Sequence, residues 1–289
     1  KEIELFEDNR IKLFKNKINK GIAFSRNQAL DLSTGKYIAI LDADDVSSPN
    51  RLELEVCYLE ENPDYGLIGG KADLINEKGE KINRIQSLSL SPEETKVYLL
   101  FKNCFTHSTV MYRKKLLKKI RFNENMPVGE DYDIVVKIAA QKKVKNLPDI
   151  MGEYRLHSNN ITFKHSLVEK IQREIISRQL KFIGLEPNES ELDVHLLMTK
   201  NSLHEDLELL ILKAKWLNKL YSSNSSSNYF PEAAFNKRIF GYWFNLMNNP
   251  IEYSWKLILH YFKSPIRKNS NHSIMDDLKF FLKGTINKK

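Results

Sequence analysis

The sequence predicts an α/β fold over residues 1–164, followed by an α-helical region over residues 165–289. In the first region, short apolar runs alternate with helical patterns. One of those runs, Tyr37-Ile-Ala-Ile-Leu41, is continuous rather than alternating. That fits a strand buried on both faces, as in a parallel sheet. The second region reads as helix after helix.

The elements follow in chain order. Gly21 to Thr34 is helix-like and stops at Gly35, a residue suited to cap a helix C-terminus. The strand Tyr37–Leu41 comes next, and Asp42-Ala-Asp44-Asp45 stands at its end. Ser48-Pro49 opens a helix, with serine as N-cap and proline at the first position. Leu52, Val56 and Leu59 recur there at helical spacing, and Pro63 lies just beyond. Gly66–Gly70 and Ala72–Ile75 are strand material, and Glu77–Glu80 is a turn signal. Ser108–Tyr112 is a short strand leading into the basic stretch Arg113–Lys119. Asp131–Gln141 is helical, and Met151–Leu156 is a final strand.

Helices over Ser166–Ile183, ended by Gly184, and over Glu189–Tyr221 begin the second region. The Ser/Asn-rich stretch 222–228 reads as a linker. An aromatic-rich segment from Phe240 to Phe262 follows.

An apolar fraction of 42% and an aromatic fraction of 10% over 289 residues are those of a chain that buries a core, which excludes disorder of the whole. The net charge of +8 suits an anionic partner, or simply a lysine-rich solvated surface. Its basic residues are spread out, with no aromatic-and-basic motif, so nucleic acid is not an expected partner. The two cysteines, Cys57 and Cys104, sit in no metal or disulfide spacing and read as thiols of a reducing compartment. No stretch approaches the ~18 apolar residues that span a bilayer. The chain begins with Lys1 and shows no signal-peptide pattern, so it is expected to start inside a longer protein.

Four clusters carry chemistry. Ligands of an open α/β sheet bind outside the carboxyl ends of its strands, where Asp42-Ala-Asp44-Asp45 is expected. Carboxylates gathered there repel one another unless a cation neutralises them. Mg²⁺ and Mn²⁺ often sit between one or two carboxylates and substrate phosphates. The alternative is an acidic cap on the next helix. Glu130-Asp-Tyr-Asp133 follows Gly129 and opens a helix; it serves either the helix dipole or general-base chemistry. Tyr154-Arg-Leu-His157 offers a guanidinium fork and an imidazole, or two surface residues. Ser25-Arg26-Asn27, after Gly21, faces either solvent or a phosphate.

In this order the clusters resemble the family-2 glycosyltransferases of the GT-A fold. The matching pieces are Gly21-Ile-Ala-Phe-Ser-Arg-Asn-Gln-Ala-Leu30, Gly35-Lys-Tyr-Ile-Ala-Ile-Leu-Asp-Ala-Asp-Asp45 and Pro49-Asn-Arg-Leu52. His107-Ser-Thr-Val-Met-Tyr-Arg113, Glu130-Asp-Tyr-Asp133 and Tyr154-Arg-Leu-His157 complete them. The resemblance covers roughly residues 10 to 165 and not the helical remainder. It implies a GT-A-like, Rossmann-like mixed sheet flanked by helices. It also implies an inverting transferase that moves a sugar from a nucleotide-diphosphate donor to a glycan or lipid-linked acceptor, in bacterial cell-surface polysaccharide biosynthesis.

The resemblance assigns roles as well. Asp42 and Asp44 match the DxD carboxylates, Asp42 on the nucleotide side and Asp44 on Mn²⁺ or Mg²⁺ at the diphosphate. Asp131 matches the base, and Glu130 positions it or touches the acceptor. His157 and Arg155 fall near the metal and the leaving diphosphate, while Gly21, Arg26 and Asn27 line the nucleotide pocket. The family's first two strands, which hold the base, have no counterpart here, so the catalytic domain is expected to be N-terminally truncated and to bind donor poorly. A non-catalytic, transferase-like binding module is the competing function. The resemblance implies a cytoplasmic place of work, with the inner membrane face as its alternative. Peripheral membrane contact would run through Trp255, Leu257, Ile258, Tyr261 and Phe262 with their flanking lysines and arginines.

Overall fold

The structure, a computed structural model, describes residues 3–86, 88–158, 165–199, 206–247, 259, 260 and 262–268. The strands are β1 (Tyr37–Ala39), β2 (Val46–Ser47), β3 (Tyr65–Ile75), β4 (Lys81–Gln86), β5 (Met111–Arg113) and β6 (Lys143–Arg155). They form one mixed sheet in the order β1-β5-β3-β6-β2, with β4 also paired to β3. β3 and β6 run parallel, and every other pairing is antiparallel. Helices α1 (Ile22–Leu32), α2 (Arg51–Glu61), α3 (Pro92–Tyr98), α4 (Lys114–Leu117) and α5 (Glu130–Ala139) flank it. α6 (His165–Lys181), α7 (Glu189–Leu197), α8 (Leu207–Ser227), α9 (Glu232–Met247) and α10 (Pro265–Lys268) make the C-terminal region. A mixed sheet between helices, followed by helices alone, is the expected fold class.

Packing divides three ways. On one face of the sheet, α2 sets Leu59 against Ile68, Met111 and Met151. On the other, α1, α5 and the start of α6 bury Leu30, Leu67, Tyr112, Ile134 and Ile171. The third core belongs to the helices, with Trp216, Phe235 and Trp243 joined by Val97, Leu100 and Phe101 from α3 and the residues after it. α6 serves two cores at once: Ile171 and Ile175 pack toward the sheet, Ile176 and Leu180 toward the helices.

Three expectations are corrected. β1 is not buried on both faces: Tyr37 and Ile38 are half-buried and Ala39 is exposed. Its described pairing is antiparallel, to β5 alone, so it lies at the end of the strand order. Residues 3–20, which precede it, run over the surface and leave Phe6, Leu13 and Phe14 exposed.

Ser48 does not cap α2, which starts at Arg51 after Asn50. The Ser48 hydroxyl donates instead to the Ile150 carbonyl at 3.1 Å, tying the turn to β6. Nor is the 222–228 stretch a linker, because α8 continues to Ser227. Asn224 is buried there, its amide donating to the Phe230 carbonyl at 3.2 Å and its oxygen accepting from the Phe230 amide at 2.9 Å. Ser225 and Ser226 return their hydroxyls to the carbonyls one turn back, so the helix satisfies what would otherwise compete with it.

Among the described residues no helix is long and apolar enough to cross a membrane. Trp255, Leu257, Ile258 and Tyr261, the heart of the expected membrane contact, lie outside the described residues.

Candidate functional site

The site gathers where β1, the β2 turn, the end of β6 and the starts of α1 and α5 meet. α1 begins after Gly21, whose φ of +85° lets the chain turn sharply into the helix. Arg26, one turn on, is nearly buried and forks between two carboxylates. Its Nη2 donates to Asp42 Oδ1 at 2.9 Å, and its Nη1 donates to Glu130 Oε1. One cation thus joins the acidic loop after β1 to the acidic start of α5, 104 residues downstream of it. Burial and the neighbouring Asp131 push the Glu130 carboxyl up to about 7, and Arg26 opposes them.

The loop Asp42–Asp45 is built around Ser108. The Asp42 amide donates to Ser108 Oγ at 3.0 Å, and that hydroxyl donates in turn to Asp45 Oδ2. The other oxygen of Asp45 accepts from the Arg155 amide at 2.8 Å. Burial raises the Asp45 pKa, and these two donors hold it down. Asp45 therefore braces the loop between the turn before β5 and the end of β6, while the Asp42 and Asp44 side chains stay partly exposed. Arg155 braces the same loop: its Nε donates to the Asp44 carbonyl at 2.7 Å and its Nη1 to the Asn76 carbonyl at 3.1 Å. These bonds keep Arg155 beside Asp44, in the part of the site where it was expected.

His157 stands against the acidic loop. Its Nε2 lies 2.8 Å from Asp44 Oδ2, and both side chains are partly exposed. Among the described residues no three His, Cys, Asp or Glu side chains form a group that could hold a metal ion by themselves. One carboxylate and one imidazole do fit a divalent ion whose other positions are phosphate oxygens and water.

Asp131 sits beside Glu130 at the start of α5, partly buried. Burial lifts its pKa, with Asp42 adding to the effect and Arg26 opposing it. Asn103 Nδ2 donates to its Oδ2 at 3.1 Å.

The structure brings together Arg26, Asp42, Asp44, Glu130, Asp131, Arg155 and His157. It does not bring Gly21 or Asn27 into the same group. Asn27 is buried, donating to the Phe122 carbonyl at 3.0 Å and accepting from the Phe122 amide at 3.1 Å. It clips α1 to the chain before α5, because a buried amide must satisfy both of its ends. Gly21 is exposed and sets the helix entry. Sequence reasoning passed over Ser108 and Asn103. Ser108 lay within the quoted His107–Arg113 piece, but nothing in the sequence tied it to Asp45. Asn103 carried no signal.

Residues 1–121 match the family model for glycosyl transferase family 2. That match takes in Arg26, Asp42 and Asp44 and stops short of Asp131 and His157. An uncharacterized glycosyltransferase of Methanocaldococcus jannaschii is 34% identical over 151 residues, 52% of this chain and 52% of that protein. The O-antigen biosynthesis glycosyltransferase WbnJ of Escherichia coli is 35% identical over 165 residues, 55% of this chain and 62% of that protein. A third relative, also from Escherichia coli, is the UDP-Glc:alpha-D-GlcNAc-diphosphoundecaprenol beta-1,3-glucosyltransferase WfgD. It is 31% identical over 160 residues, 54% of this chain and 60% of that protein. The chain thus spans between half and two thirds of the length of these relatives.

Proposed function

We propose that the protein, whose residues 1–121 match the family model for glycosyl transferase family 2, moves a sugar from a nucleotide-diphosphate sugar to a hydroxyl of a glycan or lipid-linked acceptor, inverting the anomeric centre. Two of the relatives, an O-antigen biosynthesis glycosyltransferase and a glucosyltransferase acting on a diphosphoundecaprenol-linked sugar, support a place in cell-surface polysaccharide biosynthesis. Work in the cytoplasm, at the inner membrane face, goes with such an acceptor.

The observation that carries the reading is the reach of Arg26. One guanidinium ties Asp42, on the donor side, to Glu130, next to the acceptor-side Asp131. Donor and acceptor groups are thereby held at one place, which is what a single displacement needs. Asp42 would receive the nucleotide side of the donor. Asp44 and His157 would hold Mn²⁺ or Mg²⁺. That ion, when bound, supplies positive charge against the leaving diphosphate. Arg155 and Asp45 keep the loop in shape.

Asp131 acts as the base. The acceptor oxygen forms its bond to the anomeric carbon as the bond to the diphosphate breaks on the opposite face, and the hydroxyl proton passes to the Asp131 carboxylate. Burial makes that carboxylate more basic than a solvated one, which suits the task. The test is release of nucleoside diphosphate from a panel of UDP- and GDP-sugars by the full chain with Mn²⁺. Asp131→Asn should lower turnover ~100-fold or more. Unchanged turnover in that variant removes the base assignment, and donor binding without release from any sugar favours a binding module.

A further inference from the structure

The candidate base is held by a residue outside every motif in the sequence. Asn103 Nδ2 donates to Asp131 Oδ2 at 3.1 Å, while Asn103 Oδ1 accepts from the Phe105 amide at 3.0 Å. The second bond fixes which end of the carboxamide meets the carboxylate.

The stretch that carries Asn103 is anchored by the C-terminal helices. The Leu99 carbonyl accepts from Gln179 of α6 at 2.9 Å and from the Tyr132 hydroxyl at 2.5 Å. The Leu100 carbonyl accepts from His195 Nε2, on α7, at 3.0 Å. Trp216 of α8 donates to His195 Nδ1 at 3.1 Å, so the His195 proton must be on Nε2, where the carbonyl needs it. His195 is fully buried and stacked on Phe101 with ring centroids 4.8 Å apart. Burial pulls its pKa down to about 4, which keeps it neutral and in that tautomer at physiological pH. Leu99 and Leu100 are themselves buried, so their carbonyls need partners in any case. The aim of Asn103 at a half-buried carboxylate has no such explanation.

We propose that Asn103 is a positioning residue for the Asp131 carboxylate, and that the C-terminal helices hold it there through Gln179 and His195. The inference rests on Asp131 being the base. Asp131 is faced by Arg26 and by Asp42, Glu130 and Tyr112. Among these, Asn103 adds a neutral donor that favours the ionised carboxylate and fixes which oxygen stays free.

The test uses the full chain, with Asp131→Asn as reference, and reads kcat, donor KM and the acid limb of kcat/KM against pH. Asn103→Ala should move that limb up by about one pH unit, the size expected for one lost hydrogen bond to a charged group. It should lower kcat ~10-fold and leave donor KM unchanged. Asn103→Ser, which keeps a short donor, should recover part of the shift. His195→Phe, which keeps the stacking on Phe101, should move the limb the same way by less. If that variant precipitates, Trp216→Phe gives the same readout by freeing the tautomer. An unmoved acid limb in Asn103→Ala, with Asp131→Asn inactive, overturns the proposal and leaves the base intact. A wild-type profile in the soluble His195 or Trp216 variant removes the helices from it. An active Asp131→Asn overturns the base itself.

Discussion

Arg26 meets Asp42 and Glu130 while nearly buried, so the protonation of Glu130 matters to the whole site. Glu130 goes from an ordinary 4.5 to about 7 on folding. A raised carboxyl pKa means that the folded state binds the proton more tightly. The stability Glu130 contributes is therefore full below 4.5 and is lost as pH rises through about 7. At ~1.4 kcal/mol per unit the swing is roughly 3 kcal/mol at most. Thermal melts from pH 5 to pH 8 should show a steeper fall for the wild type than for Glu130→Gln. Parallel profiles would mean that Glu130 stays ionised throughout. At this scale contiguous motifs in the sequence singled out Asp42, Asp44, Asp131 and His157, and the structure places Asp44 against His157 and Asp42 near Asp131. The sequence did not show that Asn27 is buried, because a short amphipathic pattern leaves open which polar residue turns inward. It could not reach Ser108 or Asn103, whose meaning lies in partners 63 and 28 residues away.

At the scale of elements, the acidic loop depends on strand pairing on either side. β2 is only two residues long and meets β6 at Glu153 and Gly152. A Cβ on Gly152 would lie 2.4 Å from the Val46 carbonyl oxygen, so the close approach of the two strands requires glycine. Gly152→Ala should destabilise the protein by about 1–3 kcal/mol, the cost of overpacking. It should also weaken Mn²⁺-dependent donor binding more than binding of nucleotide without metal. Equal losses by calorimetry would separate β2 from the Asp44 side. The run Tyr37–Leu41 announced a strand but not its place in the sheet. Apolar continuity reports burial of side chains, and β1 owes its exposure to lying last in the strand order. The 222–228 stretch misled for a related reason. Serine and asparagine favour loops until their side chains find partners, as Ser225 and Ser226 do one turn back and Asn224 does at Phe230, beyond the helix end.

Across the whole molecule, the helical region is bound to the sheet through shared cores rather than through a tether. Trp243 is fully buried in the helical core, which also takes in Val97, Leu100 and Phe101. Trp243→Ala should cost about 3–5 kcal/mol and lower one common melting transition by roughly 6–15 °C. A split into two transitions, with the earlier one alone displaced, would show that the regions unfold separately. Alternation of apolar runs pointed to a boundary near residue 165, yet α6, just beyond it, packs into both the sheet core and the helical core. The sharing of α6 was not readable, because adjacent isoleucines such as Ile175 and Ile176 look alike in sequence and face different cores. That sharing bears on how such proteins exchange parts. A recombinant joining this α/β half to a relative's tail cannot be spliced where the helices begin, because α6 would arrive with a foreign face toward the sheet. The workable seam falls after Gly184, with α6 inherited from the parent of the sheet and its outer isoleucines matched to the incoming tail.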